Sequence, residues 1–340
     1  MSVRPDGAAT DLGPLPTARE WLPLRRVQAP WRVSRRDLLR GTLAAMAGMA
    51  VAGCSRTPAP QGRLVVTTTV SMVTDLVRRV VGTLAEVRGL MGPGVDPHLY
   101  KATAGDVVAL HQAGITFYSG LHLEGKMQEI FEQVSRSGRK VHAVTDSIPK
   151  ERLLQSQGFE GHYDPHVWFD VHLWSLCLDS VLQRLLEVLP EERATLESNA
   201  TSAKAAFAAL HAWALSRAAE LPAEHRVLVT SHDAFNYFGR AYGFKVVALQ
   251  GISTVTEASL ADLTRLVDYI REQKIRAIFV ESSVPHATIE RISRDAGVKI
   301  GGELFSDAMG TPGQMEGGYD VGTYEGMIRH NLNTIVEALK

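Results

Sequence analysis

The chain has 340 residues, 45% hydrophobic and 21% charged, with a formal net charge of −1. This is an ordinary globular composition, long enough for two domains of about 100–200 residues each. A nearly balanced charge gives no electrostatic basis for nucleic acid as a partner.

Residues 1–53 differ from the rest. A Pro- and Arg-rich start leads to Ser34-Arg35-Arg36-Asp37-Leu38-Leu39-Arg40 and a mild apolar run over 41–52. The run is shorter than the roughly 20 residues that span a bilayer, so the stretch reads as a twin-arginine-like export signal. It ends in Val51-Ala52-Gly53-Cys54, which resembles a bacterial lipobox and would make Cys54 the lipidated first residue of the mature chain. The competing reading is a buried apolar helix with an incidental cysteine. It fits poorly with the arginines upstream and the Ser/Pro/Gly-containing linker at 54–62. Residues 1–53 hold eight Arg and four acidic residues, so their removal leaves 28 basic and 33 acidic residues, a charge of −5. Cys177 is then the one unlipidated cysteine, and no intramolecular disulfide is expected.

From residue 63 strands and helices alternate. The β-branched run 63–69 predicts a buried strand, and Ser71 is expected to cap a helix over 72–81 ending at Gly82. A short strand over 86–90 is broken by Gly92-Pro93-Gly94 before Val95-Asp96-Pro97-His98. Thr103 and Asp106 have capping-box spacing and open the next helix. A strand over 115–118, a helix over 123–134 and a strand over 140–144 follow. Then a polar loop leads to Tyr163-Asp164-Pro165-His166. Residues 172–221 read as long helix divided by Pro190, the second part, about 191–220, reaching on the order of 45 Å. Alternation resumes with a strand over 227–230 ending at Ser231-His232, a helix over 233–242 and a strand over 245–249. Next come a helix over 260–273 capped by Ser259 and Asp262, a strand over 277–280 ending at Glu281, and a helix over 286–296. A strand over 298–304 leads to Asp307, and an amphipathic helix over 324–339 closes the chain. The pattern predicts an α/β fold of two lobes, each with a mainly parallel central sheet flanked by helices, joined by one long backbone helix. The expected division is an N-terminal metal-binding lobe at 63–188, a connecting helix at 189–221 and a C-terminal metal-binding lobe at 222–340.

Two Asp-Pro-His turns in one chain are unusual. Proline fixes its own φ and restricts the residue before it, so each histidine sits on a stiffened turn. His232 and Asp307 directly follow predicted strands, and ligands of open α/β sheets bind beyond the carboxyl ends of strands. His98, His166, His232 and Asp307 are therefore expected to converge on one divalent metal ion. Imidazole suits zinc and neighbouring metals, and an added carboxylate also accommodates manganese. Each residue alone has a plainer reading, as a turn former or a helix-start residue; their coincidence carries the expectation. Glu281, at a strand end, is a candidate acid beside the ligands, and His122 a further candidate at that distance. Histidines inside predicted helices (His111, His172, His211, His330) read as surface or packing residues. Trp168 and Phe169 read as core or interface residues.

The segments Gly94-Val95-Asp96-Pro97-His98, Gly120-Leu121-His122-Leu123-Glu124, Asp164-Pro165-His166-Val167-Trp168, Thr230-Ser231-His232-Asp233-Ala234-Phe235 and Leu304-Phe305-Ser306-Asp307 carry a resemblance. In order and spacing they resemble the zinc/manganese solute-binding proteins of bacterial ABC importers, over essentially everything from residue 63. The resemblance implies a buried metal between two lobes, with His98 and His166 from the first and His232 and Asp307 from the second. It also implies Zn2+, or Mn2+, as transported ligand, an ABC permease with its ATPase as partners, and a lipid-anchored monomer outside the cytoplasm. The zinc-specialised branch of that family carries a His-rich acidic loop in its first lobe, whereas 123–140 here contains no histidine. The rival functions are a zinc hydrolase with Glu281 as base, a receptor for haem, siderophore or cobalamin, and an adhesin-like protein with a structural metal. A hydrolase needs an open metal position. A macrocycle receptor needs a wide aromatic or Arg-lined cleft, against 7% aromatic residues here.

Overall fold

The computed structural model describes residues 63–155 and 161–340. The export signal, the linker and Cys54 lie outside the described residues. Among the described residues no helix is long and apolar enough to cross a membrane.

The first half is built on a four-stranded parallel sheet in the order β2-β1-β3-β4. Its strands are β1 (Val65–Thr68), β2 (Glu86–Gly89), β3 (Ile115–Tyr118) and β4 (Val141–Ala143). Helix α1 (Ser71–Val81) buries Met72, Val73, Leu76, Val77, Val80 and Val81, the i, i+4 and i+1 neighbours that make one apolar stripe. Its N-cap is Val70, with no side-chain cap. Ser71, expected to cap, is instead the first helical residue, and its hydroxyl accepts from the Met309 N–H at 2.8 Å. The helix start is fixed by contact with the far end of the chain, which a local motif does not reveal.

Thr103 and Asp106 do form the capping box of α2 (Ala104–Gln112). The helix expected over 123–134 is shorter: a 3₁₀ turn at Gly125–Met127 precedes α3 (Gln128–Arg136). The long helical tract contains α4 (Val171–Ser175), α5 (Cys177–Leu186), a 3₁₀ turn at Pro190–Glu192 and α6 (Arg193–Ala218). With 26 residues α6 is about 39 Å long, somewhat shorter than expected.

The second half holds two parallel strand pairs, β5 (Val227–Thr230) with β6 (Lys245–Ala248), and β7 (Ala277–Glu281) with β8 (Lys299–Leu304). β5 packs beside β7, so the four strands share one layer. Around them lie α7 (Asn236–Tyr242), α8 (Leu260–Glu272) with its Ser259/Asp262 capping box, α9 (Ala287–Ala296) and α10 (Tyr324–Leu339). A small antiparallel hairpin, β9 (Met315–Glu316) and β10 (Tyr319–Asp320), precedes α10.

The two halves share a core. One apolar cluster runs from Val66 and Leu76 through Trp168 and Phe207 to Phe235, Phe279, Leu304 and Leu332. A smaller cluster, including Val229, Ile270 and Ile289, belongs to the second half alone. At roughly 25 cal/mol per Å2 of buried apolar surface, opening the shared cluster would be costly.

Candidate metal centre

The site lies where the two sheets present their carboxyl ends to each other. β1–β2 pairing continues past the strand, with Leu90 N–H donating to Thr68 O at 2.9 Å and Met91 N–H to Thr69 O at 3.0 Å. The chain then breaks at 92–94, and His98 enters the cleft. His232 follows β5 by two residues and Asp307 follows β8 by three. His166 stands immediately before a 3₁₀ turn at Val167–Phe169.

One donor atom from each of His98, His166, His232 and Asp307 lies within 4.8 Å of the other three, and all four side chains are buried. His98 Nε2 is 3.3 Å from His166 Nε2 and 3.5 Å from Asp307 Oδ2. His166 Nε2 is 3.5 Å from Asp307 Oδ1, and His232 Nε2 is 3.2 Å from Asp307 Oδ2. Ligands about 2.0–2.1 Å from a tetrahedral ion are separated by about 3.3–3.4 Å, and these distances lie close to that spacing. The carboxylate oxygens of Asp307 approach the imidazoles without completing well-directed hydrogen bonds. Buried carboxylate oxygens left in that state are costly unless a cation joins them.

Electrostatics agree with that reading. Burial pushes the His98 imidazole down to about 3, so it is a neutral donor. Burial alone would raise Asp307, but His232, His166 and His98 around it hold the carboxyl well below its ordinary range. Burial opposes protonation of His232, yet Glu281 and Asp307 on its two sides hold it well above the ordinary value.

Carboxylates orient two of the imidazoles from behind. Asp164 Oδ1 is 2.8 Å from His166 Nδ1, and Glu281 Oε2 is 2.6 Å from His232 Nδ1. Each contact turns Nε2 toward the cleft, the carboxylate–histidine–metal arrangement of many metal sites. Glu281 Oε1 also accepts from the N–H groups of Ser231 at 2.7 Å and His232 at 2.9 Å. Its carboxylate is spent on the far side of His232, away from the four donors, so the hydrolase reading with Glu281 as base is not supported. Asp307 is held through its neighbour: the Asn331 side chain accepts from Phe305 N–H at 2.9 Å and donates to Phe305 O at 2.7 Å.

His122 is outside the group of four. It lines a cavity of about 620 Å3 that has His98 on its wall, and its ring stacks on His162 with centroids 4.3 Å apart. Sequence reading missed the supporting roles of Asp164 and Asn331. Asp164 was visible as the first residue of its Asp-Pro-His turn; Asn331, inside a helix 24 residues after Asp307, left no local signal.

The comparisons agree with this geometry. Residues 66–338 match the family described as zinc-uptake complex component A, periplasmic. The zinc-binding protein TroA of Treponema pallidum is 46% identical over 302 residues, covering 87% of this chain and 96% of TroA. A solved TroA structure superposes with a TM-score of 0.77, covering 82% of this chain and 99% of that one. The manganese-binding lipoprotein MntA of Bacillus subtilis is 42% identical over 311 residues, covering 88% of this chain and 99% of MntA. The metal ABC transporter substrate-binding lipoprotein SloC of Streptococcus mutans is 28% identical, covering 84% and 93%. From its matching length, its fold and its three-histidine, one-aspartate cluster, the chain belongs to the periplasmic zinc-uptake component A family, the solute-binding proteins of zinc and manganese importers.

Proposed function

We propose that this protein captures a divalent transition metal outside the cytoplasm and delivers it to an ABC permease and its ATPase. The observation that carries the reading is the buried convergence of His98, His166, His232 and Asp307 within 4.8 Å. These four residues are the metal ligands, and Glu281 and Asp164 set the tautomers of two of them. Metal capture requires no covalent chemistry, and the relatives are metal-binding transport proteins.

Zn2+ is the cargo the site suits best. An N₃O donor set with several spacings close to a tetrahedral edge fits it, and zinc stands well above manganese in intrinsic affinity. Mn2+ is the second reading, favoured by one observation: Asp307 Oδ1 faces His166 while Oδ2 faces His98 and His232. Bidentate coordination through both oxygens would provide a fifth donor.

Around the site, 63–188 and 222–340 form the capturing lobes and 189–221 the connecting helix. Residues 1–53 direct export by the twin-arginine route, and lipidated Cys54 tethers a monomer to the membrane. A chain folded before export would acquire its first metal in the cytoplasm.

Elemental analysis of purified residues 55–340, with competitive titration of Zn2+ and Mn2+, tests the reading. One equivalent of metal per chain is expected. Absence of stoichiometric metal, with binding unchanged in His98→Ala and His232→Ala, removes it.

A further inference from the structure

The two Asp-Pro-His turns share a feature that metal ligation does not require. In each, one Asp oxygen holds the turn's own histidine and the other reaches across the cleft. Asp164 Oδ1 accepts from His166 N–H at 3.0 Å, and Oδ2 accepts from Asn236 Nδ2 at 3.1 Å. Asp96 Oδ1 accepts from His98 N–H at 2.8 Å, and Oδ2 accepts from the Thr254 hydroxyl at 2.6 Å. Both partners belong to the second half. Each turn thus ties the position of a first-half ligand to closure of the cleft.

The two ties differ in what surrounds them. Asp164 is fully buried, and its carbonyl also accepts from Tyr237 OH at 3.0 Å. Nearby, Trp168 Nε1 donates to Ser306 O at 3.1 Å, Tyr324 OH donates to Trp168 O at 2.6 Å, and Phe169 stacks on Phe235. This side of the cleft is bolted by several independent contacts. Thr254 instead sits in the strap 249–258 that joins β6 to α8. Its first residues are anchored to their own half by Gln250 N–H to Ser231 O at 2.9 Å and Asp233 N–H to Gly251 O at 3.3 Å. Among the described residues, 252–258 holds one turn at Thr254-Val255 and makes no backbone–backbone hydrogen bond to any other segment, and Val255 is 55% exposed. Few backbone bonds and an exposed apolar residue mark a segment of low local stability.

The strap also borders the open space beside His98. It walls the cavity of about 620 Å3 that contains His98, and a second cavity of about 340 Å3 on the Asp96 and Leu99 side. The geometry points to a gate: the Thr254–Asp96 hydrogen bond latches the strap over the metal, and its rupture opens the cleft beside His98 while the Asp164–Asn236 side stays closed. Asp96 is a positioning residue in this scheme, since its other oxygen holds His98 and loosening one contact frees the other. The inference rests on the metal-capture function and adds the route and the release step.

Thr254→Val keeps the side-chain shape and removes the donor; Thr254→Ser restores it. The measurement is the rate of Zn2+ release from the loaded chain into excess chelator, by stopped flow. A hydrogen bond to a carboxylate predicts release about tenfold faster in Thr254→Val and near the parent rate in Thr254→Ser. In the unsubstituted chain, amide exchange across 252–258 should slow on Zn2+ loading more than exchange across α7. Equal release in Thr254→Val and parent, equally fast release in both variants, or strap exchange unaffected by Zn2+ would overturn the latch while one bound Zn2+ per chain leaves the capture function intact. A parent chain that takes up no Zn2+ removes both.

Discussion

Glu281 Oε2 lies 2.6 Å from His232 Nδ1 while Glu281 Oε1 accepts the N–H groups of Ser231 and His232. One carboxylate therefore fixes the backbone on which a ligand rides and the orientation of that ligand's ring. Glu281→Gln keeps the size but loses the charge that makes the imidazole a stronger donor. Substitutions of this kind cost about 10–100-fold in metal affinity. Competition with a chelating dye should show a loss in that range with the stoichiometry still one. An unchanged affinity would mean that Glu281 is only a backbone brace.

Metal removal should destabilise the chain measurably. Ligand present at about a thousandfold above its dissociation constant contributes about 4 kcal/mol. For a chain of this size that corresponds to a fall in Tm of roughly 5–10 °C on chelation, read by calorimetry. In His98→Ala the difference between chelated and metal-loaded samples should nearly vanish, because His98 supplies one of the four donors.

Asn331 tests whether Asp307 is positioned from a distance. Its side-chain amide is buried and bonds both the N–H and the carbonyl of Phe305. Asn331→Ala strands two buried backbone groups, at about 1–3 kcal/mol each, less whatever water restores. Thermal melts should register that loss in metal-free protein, and metal affinity should fall as well. A stability loss with unaltered affinity would show that the 305–307 turn is held by its other contacts.

The first capping box gives a pH dependence of definite sign. Asp106 Oδ2 accepts from Thr103 N–H at 2.7 Å and from Tyr100 OH at 2.8 Å. Burial is the largest single influence and works against the charge, but the hydrogen bonds from Thr103 and Tyr100 together outweigh it and hold the carboxyl below its ordinary 3.8. A depressed folded-state value contributes stability that is present above 3.8 and is lost as pH falls through the folded value. The Asp106 carboxyl resonance should titrate below 3.8, and Asp106→Asn should flatten the acid limb of the stability curve. Titration at or above 3.8 would count against the box contributing in solution.

Local chemistry made much of this molecule legible. Thr103/Asp106 and Ser259/Asp262 are capping boxes within four residues, so the spacing alone determined where those helices begin. β-Branched runs became strands because their side chains suit a pleated, half-buried surface. The four donors stood out since two follow strand ends and two occupy Asp-Pro-His turns. Where partners lie far apart in the chain and no motif marks them, the reading stopped. Ser71 gave up its capping role to meet Met309, and Asn331 reaches Phe305 from another element.

By itself, then, the sequence determined the alternating α/β pattern and the residue types able to hold a metal, because periodicity and turn chemistry act over a few residues. Only the tertiary structure decided that the halves share one core, that Glu281 and Asp164 face the histidines from behind, and that Asp96 and Asp164 reach across the cleft. Those relations join residues brought together by burial of a common apolar cluster, and no local rule records which distant side chain will satisfy a buried carboxylate.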